Sequence, residues 1–361
     1  MAPSNLRDPH ADAGTLVSAS SSTAAPRSLR KILTPYATPD ARRATIQLLN
    51  TALPFFALMA VMFCGLDHHV WVALLLCVPA AAFLVRLFAI QHDCGHGSLF
   101  KSRWANDLFG RALGVLTLTP YMFWRRDHAM HHANSGNLHR RGVGDVKTLT
   151  VREYLSQSAW RRLLYRLYRH PLVLFGLGPS YQFVLRHRIP IGHPLRQRKM
   201  WISILGTNAV LAIMVVATIL VVGLGPFVLG YFPVIVGAAS VGVWLFYVQH
   251  QFEKAYWEAE PRWDFHAAAL EGSSFYDLPG MLHWVTGNIG FHHIHHLSSK
   301  VPNYRLRDCF EQNPELRTAN RLSLRASLRC PRLALWDEDA RKMVTFAAVR
   351  RVRHDARKPG L

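Results

Sequence analysis

The chain has 361 residues, half of them hydrophobic, and a formal net charge of +20 with histidines neutral, enough for two soluble domains or one membrane protein. Its five cysteines, Cys64, Cys77, Cys94, Cys309 and Cys330, are scattered and odd in number, which argues against a disulfide framework or a zinc ribbon. The positive excess does not call for nucleic acid, because basic residues also hold a polar face against anionic lipid headgroups.

In chain order, residues 1–45 are rich in Ala, Ser, Thr and Pro and lack an apolar segment, so they are expected to form a disordered cytoplasmic arm and not a signal peptide. A membrane domain is expected over residues 46–310. Two apolar runs, at about 48–66 and 70–90, are separated only by "DHH", and two more, at about 201–223 and 227–249, are joined by "LGP". Each is near the roughly 20 residues a helix needs to cross a bilayer core, and none shows the polar stripe of a soluble core helix. They read as two transmembrane hairpins.

Residues 1–47 hold 6 Lys and Arg, residues 91–199 hold 18, residues 250–361 hold 17, and the hairpin turns hold none. By the positive-inside rule both termini and the central segment lie in the cytoplasm. The exception, Arg86 near the end of the second run, is expected to snorkel. Residues 311–361 form a basic cytoplasmic segment, read either as a cap over the site or as a tail. The expected fold is therefore an all-α integral membrane protein: four spans in two hairpins, with a helical cytoplasmic cap.

Three histidine clusters fall on that cytoplasmic side. "HDCGH" supplies His92 and His96, "HAMHH" supplies His128, His131 and His132, and "HHIHH" supplies His292, His295 and His296. The i, i+3 and i+4 spacings put each set on one helical face, with His293 turned roughly 100° away. Eight imidazoles beside membrane spans are hard to explain by packing. They exceed the needs of one zinc and suit two metal ions, although imidazole binds iron, copper, nickel and zinc alike. His250, in "FYVQHQFE", reads equally as a ligand and as an interfacial histidine.

The ordered stretches "HDCGHGSLF", "RRDHAMHHANSGN" and "GNIGFHHIHHLSSKVPNYRL", with paired spans before the first and between the second and third, resemble the membrane fatty acid desaturases over roughly residues 45–310. The first and last boxes look most similar to the acyl desaturases that introduce a second double bond at Δ12 or ω6. The last box begins with His292 and not Gln, and no HPGG motif is present, unlike the front-end desaturases. The resemblance implies two iron ions held by His92, His96, His128, His131, His132, His292, His295 and His296, with His250 as the ninth ligand. It implies O2 as co-substrate, because an unactivated methylene lies beyond acid–base side chains and needs an oxidant made at a redox metal.

Asp93, Asp127 and Asp145 are expected to orient the rings, though each reads equally as a cap or a surface charge. Phe123, Trp124, Trp284 and Phe291 are candidates for lining an acyl tunnel, or for interface anchoring. Arg125, Arg126, Arg140 and Arg141 read as headgroup or donor contacts or as topology signals. No dinucleotide fingerprint or iron–sulfur motif is present, so electrons are expected from a separate protein of the ferredoxin or b-type cytochrome class. The acyl chain is expected on a membrane lipid or a carrier, and the location is expected to be a bacterial inner membrane. A di-iron hydroxylase or ketolase of a lipid or carotenoid is the alternative. A metal transporter is a remote one, since transport sites belong near the midplane of the spans.

Overall fold

The computed structural model describes residues 27–65, 69–190 and 197–355. A short helix α1 (Arg27–Leu33) leads into α2 (Ala41–Gly65), followed by α3 (Val70–His96), α4 (Arg103–Leu116) and α5 (Tyr121–Asn134). Strand β1 (Leu149–Thr150), α6 (Val151–Ser156), α7 (Ala159–Tyr168) and a run of helical turns containing α8 (Gly178–Ser180) lead to α9 (Arg198–Val222) and α10 (Leu224–His250). Beyond them come α11 (Phe265–Glu271), β2 (Phe275–Asp277), α12 (Gly280–Val285), α13 (His292–Leu297) and α14 (Asn303–Gln312). The chain closes with β3 (Arg321–Ser323), α15 (Leu324–Ser327), β4 (Leu333–Asp337), β5 (Lys342–Thr345) and α16 (Phe346–Asp355).

Four helices, α2, α3, α9 and α10, are long and apolar enough to cross a membrane, as the sequence predicts. Half of the most apolar stretch of α3 is buried, against 6% of that of α9, so α3 is the central pillar and α9 faces outward along most of its length. Small residues set the contacts: a Cβ on Gly230 of α10 would stand 2.9 Å from the Phe63 ring of α2, and Gly237 faces Ala81 of α3. Close backbone approach is how helices associate where lipid removes the hydrophobic drive.

Arg86 does not snorkel. It is buried, donates from Nε to Thr51 Oγ1 at 3.0 Å and from Nη1 to the Trp284 carbonyl, and lies 3.9 Å above the Trp284 ring. Thr51 from α2 and Trp284 from α12 supply the acceptors and the ring face that headgroups would otherwise provide.

Residues 27–45, expected within a disordered arm, depart from that reading, and residues 1–26 lie outside the described residues. Leu33 is buried in a satellite core with Phe291, Ile294 and Leu306. Tyr36 donates to Gln312 at 2.7 Å, and the Asp40 amide donates to Tyr304 at 2.8 Å. The apolar residues that close this core, Phe291, Ile294 and Leu306, lie far downstream of Leu33, which composition alone does not show.

The fold is helical apart from two small sheets. β1 pairs in parallel with β4 (Leu149 opposite Leu335), β4 pairs antiparallel with β5, and β2 pairs in parallel with β3 (Phe275 opposite Arg321). The C-terminal segment is thus a folded part of the cap, with Leu335, Trp336 and Met343 buried. Arg169 ties it to the end of α10, donating to the Leu333 carbonyl (2.8 Å), the Tyr247 hydroxyl (2.8 Å) and Gln251 Oε1 (3.1 Å).

Candidate metal centre

Three helices and the tip of a fourth deliver the histidines. α3 runs on past its apolar stretch and stops at His96, where Gly97 takes a left-handed φ of 64°, so His92 and His96 stand one turn apart. α5 is held against it by Tyr121, whose hydroxyl donates to the Cys94 carbonyl at 2.7 Å. Gly95 completes the fit, since a Cβ there would lie 2.7 Å from the Trp124 ring. α13 is only six residues long and wholly buried. α10 ends on His250.

The nine histidines come together in two groups. His92, His96, His128, His132 and His295 form the first, and His131, His250, His292 and His296 the second, with the ligand atoms of each group within 4.8 Å of one another. Each box except the first is divided between them: His131 turns away from His128 and His132, and His295 turns away from His292 and His296. The groups touch where the His132 and His296 rings stack at 4.2 Å. His293 stays outside, packed edge-on against Phe275 and Phe310.

Within each group the Nε2 atoms converge. His96–His128, His128–His132 and His132–His295 lie at 3.0, 3.1 and 3.0 Å, and His131–His250, His250–His292 and His292–His296 at 3.1, 2.9 and 3.1 Å. At a metal–nitrogen distance of about 2.1 Å, ligands at right angles stand about 3.0 Å apart and tetrahedral ligands about 3.4 Å. The spacing fits right-angled ligation better than tetrahedral zinc.

The other face of each ring bears on what can lie between the Nε2 atoms. His131 Nδ1 faces the Asp145 carboxylate, and His250 Nδ1 faces the Gly272 carbonyl at 3.1 Å. Both partners are acceptors, so each neutral ring carries its proton on Nδ1 and presents an Nε2 lone pair. Two lone pairs then meet at 3.1 Å, which is repulsive unless a cation lies between them. Asp145 reaches His131 because the preceding Gly144 turns at φ +69° with the Asp127 carbonyl 2.9 Å from where its Cβ would be. Asp93, buried, accepts from the Asn303 amide at 2.7 Å and lies 3.7 Å from His92 Nδ1. Asp127 sits on α5 immediately before His128.

Burial, followed by the charge of neighbouring histidines, holds His128, His132, His292, His295 and His296 well below the ordinary histidine value, so the rings stay neutral and able to bind metal. The groups differ in access. All four histidines of the second are buried, whereas His96, His128 and His132 of the first keep part of their surface open.

A family model described as fatty acid desaturase matches residues 69–327. The chain belongs to the fatty acid desaturase family. A fatty acid desaturase of Bacillus subtilis (strain 168) is 44% identical over 326 residues, covering 90% of this chain and 92% of the relative. A Synechocystis sn-1 acyl-lipid omega-3 desaturase (ferredoxin) is 32% identical over 234 residues, 62% of each chain. A Synechocystis sn-1 oleoyl-lipid 12-desaturase is 28% identical over 260 residues, 69% of this chain and 70% of its own. The protein is an acyl desaturase with, among the described residues, four helices long and apolar enough to cross a membrane.

In this desaturase the aromatic candidates have different surroundings. Trp124 stacks on His128 with ring centroids 4.7 Å apart. Phe123 packs on His187, Trp284 covers Arg86, and Phe291 stacks between Phe275 and His283 in the satellite core. Of the four arginines, Arg125 pairs with Asp107, Arg140 with Glu260 and Arg141 with Glu153, while Arg126 donates to Gln197. Sequence reading missed Phe246, which lies 5.0 Å from the His131 ring and 5.4 Å from that of His250. Its signal was present, because it precedes His250 by one helical turn. It also missed Asn303, which joins Asp93 to Gln47, and Lys300, which donates to the His96 carbonyl at 2.7 Å. Neither carries a local signal.

Proposed function

We propose that the nine histidines hold two iron ions, five ligands on one and four on the other, and that the enzyme uses O2 to insert a double bond, as a second unsaturation of the Δ12 or ω6 kind, into an acyl chain carried by a membrane lipid. The observation that carries the metal assignment is the pair of Nε2 lone pairs of His131 and His250 facing each other at 3.1 Å. Iron, when bound, supplies the redox chemistry that removes hydrogen from an unactivated methylene. The chain's own residues orient and enclose. Asp145 and Gly272 fix the tautomers of His131 and His250, Asp93 lies beside His92, and Trp124 braces the His128 ring. Such partners tune metal affinity nearly as strongly as the ligands themselves. Burial of the second group excludes water from side reactions.

The lipid-bound substrate and the Δ12 regiochemistry are supported by the form of the histidine boxes and by the relatives named sn-1 acyl-lipid and sn-1 oleoyl-lipid desaturases. The name of the omega-3 relative supports a ferredoxin as electron donor. The distribution of Lys and Arg supports termini and site in the cytoplasm of a bacterium, with the spans in its inner membrane. The test is mass spectrometry of fatty acids from a host supplied with a monounsaturated precursor and expressing this chain or its His295→Ala variant. A diene made only by the unmutated chain supports the reading, and its double-bond position decides regiochemistry. A hydroxylated product, or no product from an iron-loaded protein supplied with reductant, overturns it.

A further inference from the structure

Between β2 and the third histidine cluster the chain folds back on itself. Phe275 bridges antiparallel to Phe291, and the Tyr276 amide donates to the Gly290 carbonyl at 2.7 Å, so residues 275–291 form a hairpin closed at its base beside His292. α12 is its tip, and the tip runs down the side of α3. Trp284 packs edge-on to Phe83 with ring centroids 5.9 Å apart, and a Cβ on Gly287 would stand 2.7 Å from that of Ala89. Phe83 precedes His92 by nine residues, about 13 Å along the helix. It also lies seven residues inside the apolar run that ends at Ile90, which is about 10 Å. The hairpin therefore descends from the level of the histidines well into the membrane-crossing stretch of α3.

Its composition fits that depth. Residues 278–290, "LPGMLHWVTGNIG", contain no Asp, Glu, Lys or Arg, and the tip exposes Pro279, Gly280, Met281 and Trp284, with Met281 76% open. The turn between β4 and β5, on the cap, instead carries Glu338, Asp339 and Arg341. Backbone at membrane depth must have its polar groups satisfied within the protein. Here the Trp284 carbonyl, at the end of α12, accepts from Arg86. The Thr286 hydroxyl donates to the Leu282 carbonyl at 2.8 Å, and the Leu278 amide to His283 Nε2 at 3.3 Å. Arg86 is thus placed in the apolar stretch of α3 where a dipping helix end needs a donor.

We infer that residues 278–290 form a re-entrant hairpin that enters the leaflet nearest the histidines and returns without crossing it, with Met281 and Trp284 in contact with lipid acyl chains. The occupant follows from depth: side chains left uncovered beside Phe83 stand among the acyl chains that surround α3, not in water. The hairpin runs directly into His292, so the third histidine cluster hangs from an element seated in the bilayer.

The test is a spin-label depth measurement on the full chain in phosphatidylcholine nanodiscs. Cys64, the exposed cysteine, is replaced by serine, leaving four buried ones. The label is placed at Met281→Cys and, separately, at Gly280→Cys, where a Cβ meets open space. Power saturation compares access of oxygen, which concentrates among acyl chains, with access of a nickel chelate, which stays in water. The expected result is oxygen access above nickel access at both positions, as at Val78→Cys on the exposed face of α3, and the reverse at Asp339→Cys on the cap. Nickel access matching that of Asp339→Cys puts the tip in water and overturns the proposal. Low access to both agents means that protein, such as a second copy of this chain, covers the tip, and overturns it equally. Neither iron nor turnover enters the measurement, so its outcome is independent of the fatty acid analysis.

Discussion

The two histidine groups are built from the same residue type and share α5 and α13, yet one is partly open to the surface and the other sealed. The first takes His92 and His96 from α3 and lies where α3 and α5 emerge, with His96, His128 and His132 partly exposed. The second depends on His250 at the tip of α10 and on His131, His292 and His296, all buried, with Asp145 behind His131 and Gly272 behind His250. On the proposed two-iron reading, identical ligands in unlike surroundings would give the two metals different tasks, since access and local dielectric tune a metal without any change of donor atom.

The strongest way to break this comparison is to remove a ligand from each side. His295→Ala and His131→Ala are each expected to lower turnover by more than about a thousandfold, as loss of a metal-binding unit does, with metal content falling from two ions toward one. Full iron content and activity in His131→Ala would dissolve the second group. Next in size is Asp145→Asn, which keeps the shape but changes the acceptor behind His131; about 10- to 100-fold lower activity or metal affinity is expected. It should fall on the sealed group alone and appear as selective loss of one ion.

Gly95→Ala probes the open group through packing, because a Cβ 2.7 Å from Trp124 must displace a ring stacked on His128. A cost of about 1–3 kcal/mol is expected, read as a lower Tm. His293→Ala is expected to destabilise by a similar amount while retaining both metals, since the ring is fully buried against Phe275 and Phe310. Loss of iron in that variant would bring His293 into the site. The smallest effect is on pH. Histidines pushed down from 6.5 by burial, including His187 at about 3 and His293 at about 4, bind fewer protons folded than unfolded. Their contribution is complete above about pH 6.5 and is lost as pH falls toward their folded values, so the Tm of the metal-free protein should drop steadily on acidification. A flat profile between pH 7 and pH 5 would contradict it.

The spans were legible because hydropathy is local, and the boxes because ligand spacing repeats at the helical period. How the boxes divide was not. Spacing puts His128, His131 and His132 on one broad face, but the choice that sends His131 to a different partner set depends on His250 at the end of α10, 119 residues on, and on α13 beyond it. Arg86 was misread for the same reason: a lone charge near a span end looks like a snorkelling residue until Thr51 and Trp284 close around it. The small sheets escaped notice because strands of two to five residues are too short to show a clear alternation, and β1 finds its partner only some 180 residues downstream.

That last pairing has a consequence for how the protein is made. Asp145 lies four residues before β1, whose neighbour in the sheet, β4, is synthesised after all nine histidines and after every span. Arg169 likewise waits for the Leu333 carbonyl before it can join the tip of α10 to the cap. On the ribosome the membrane bundle can assemble early, N-terminal part first, with the first histidine group requiring only α13 to complete it. The loop that steadies the second group gains its support only when the final strands arrive. On the proposed two-iron reading, secure metal loading of the sealed group would come late in biosynthesis, and chains stopped before β4 should hold metal less firmly there than in the first group.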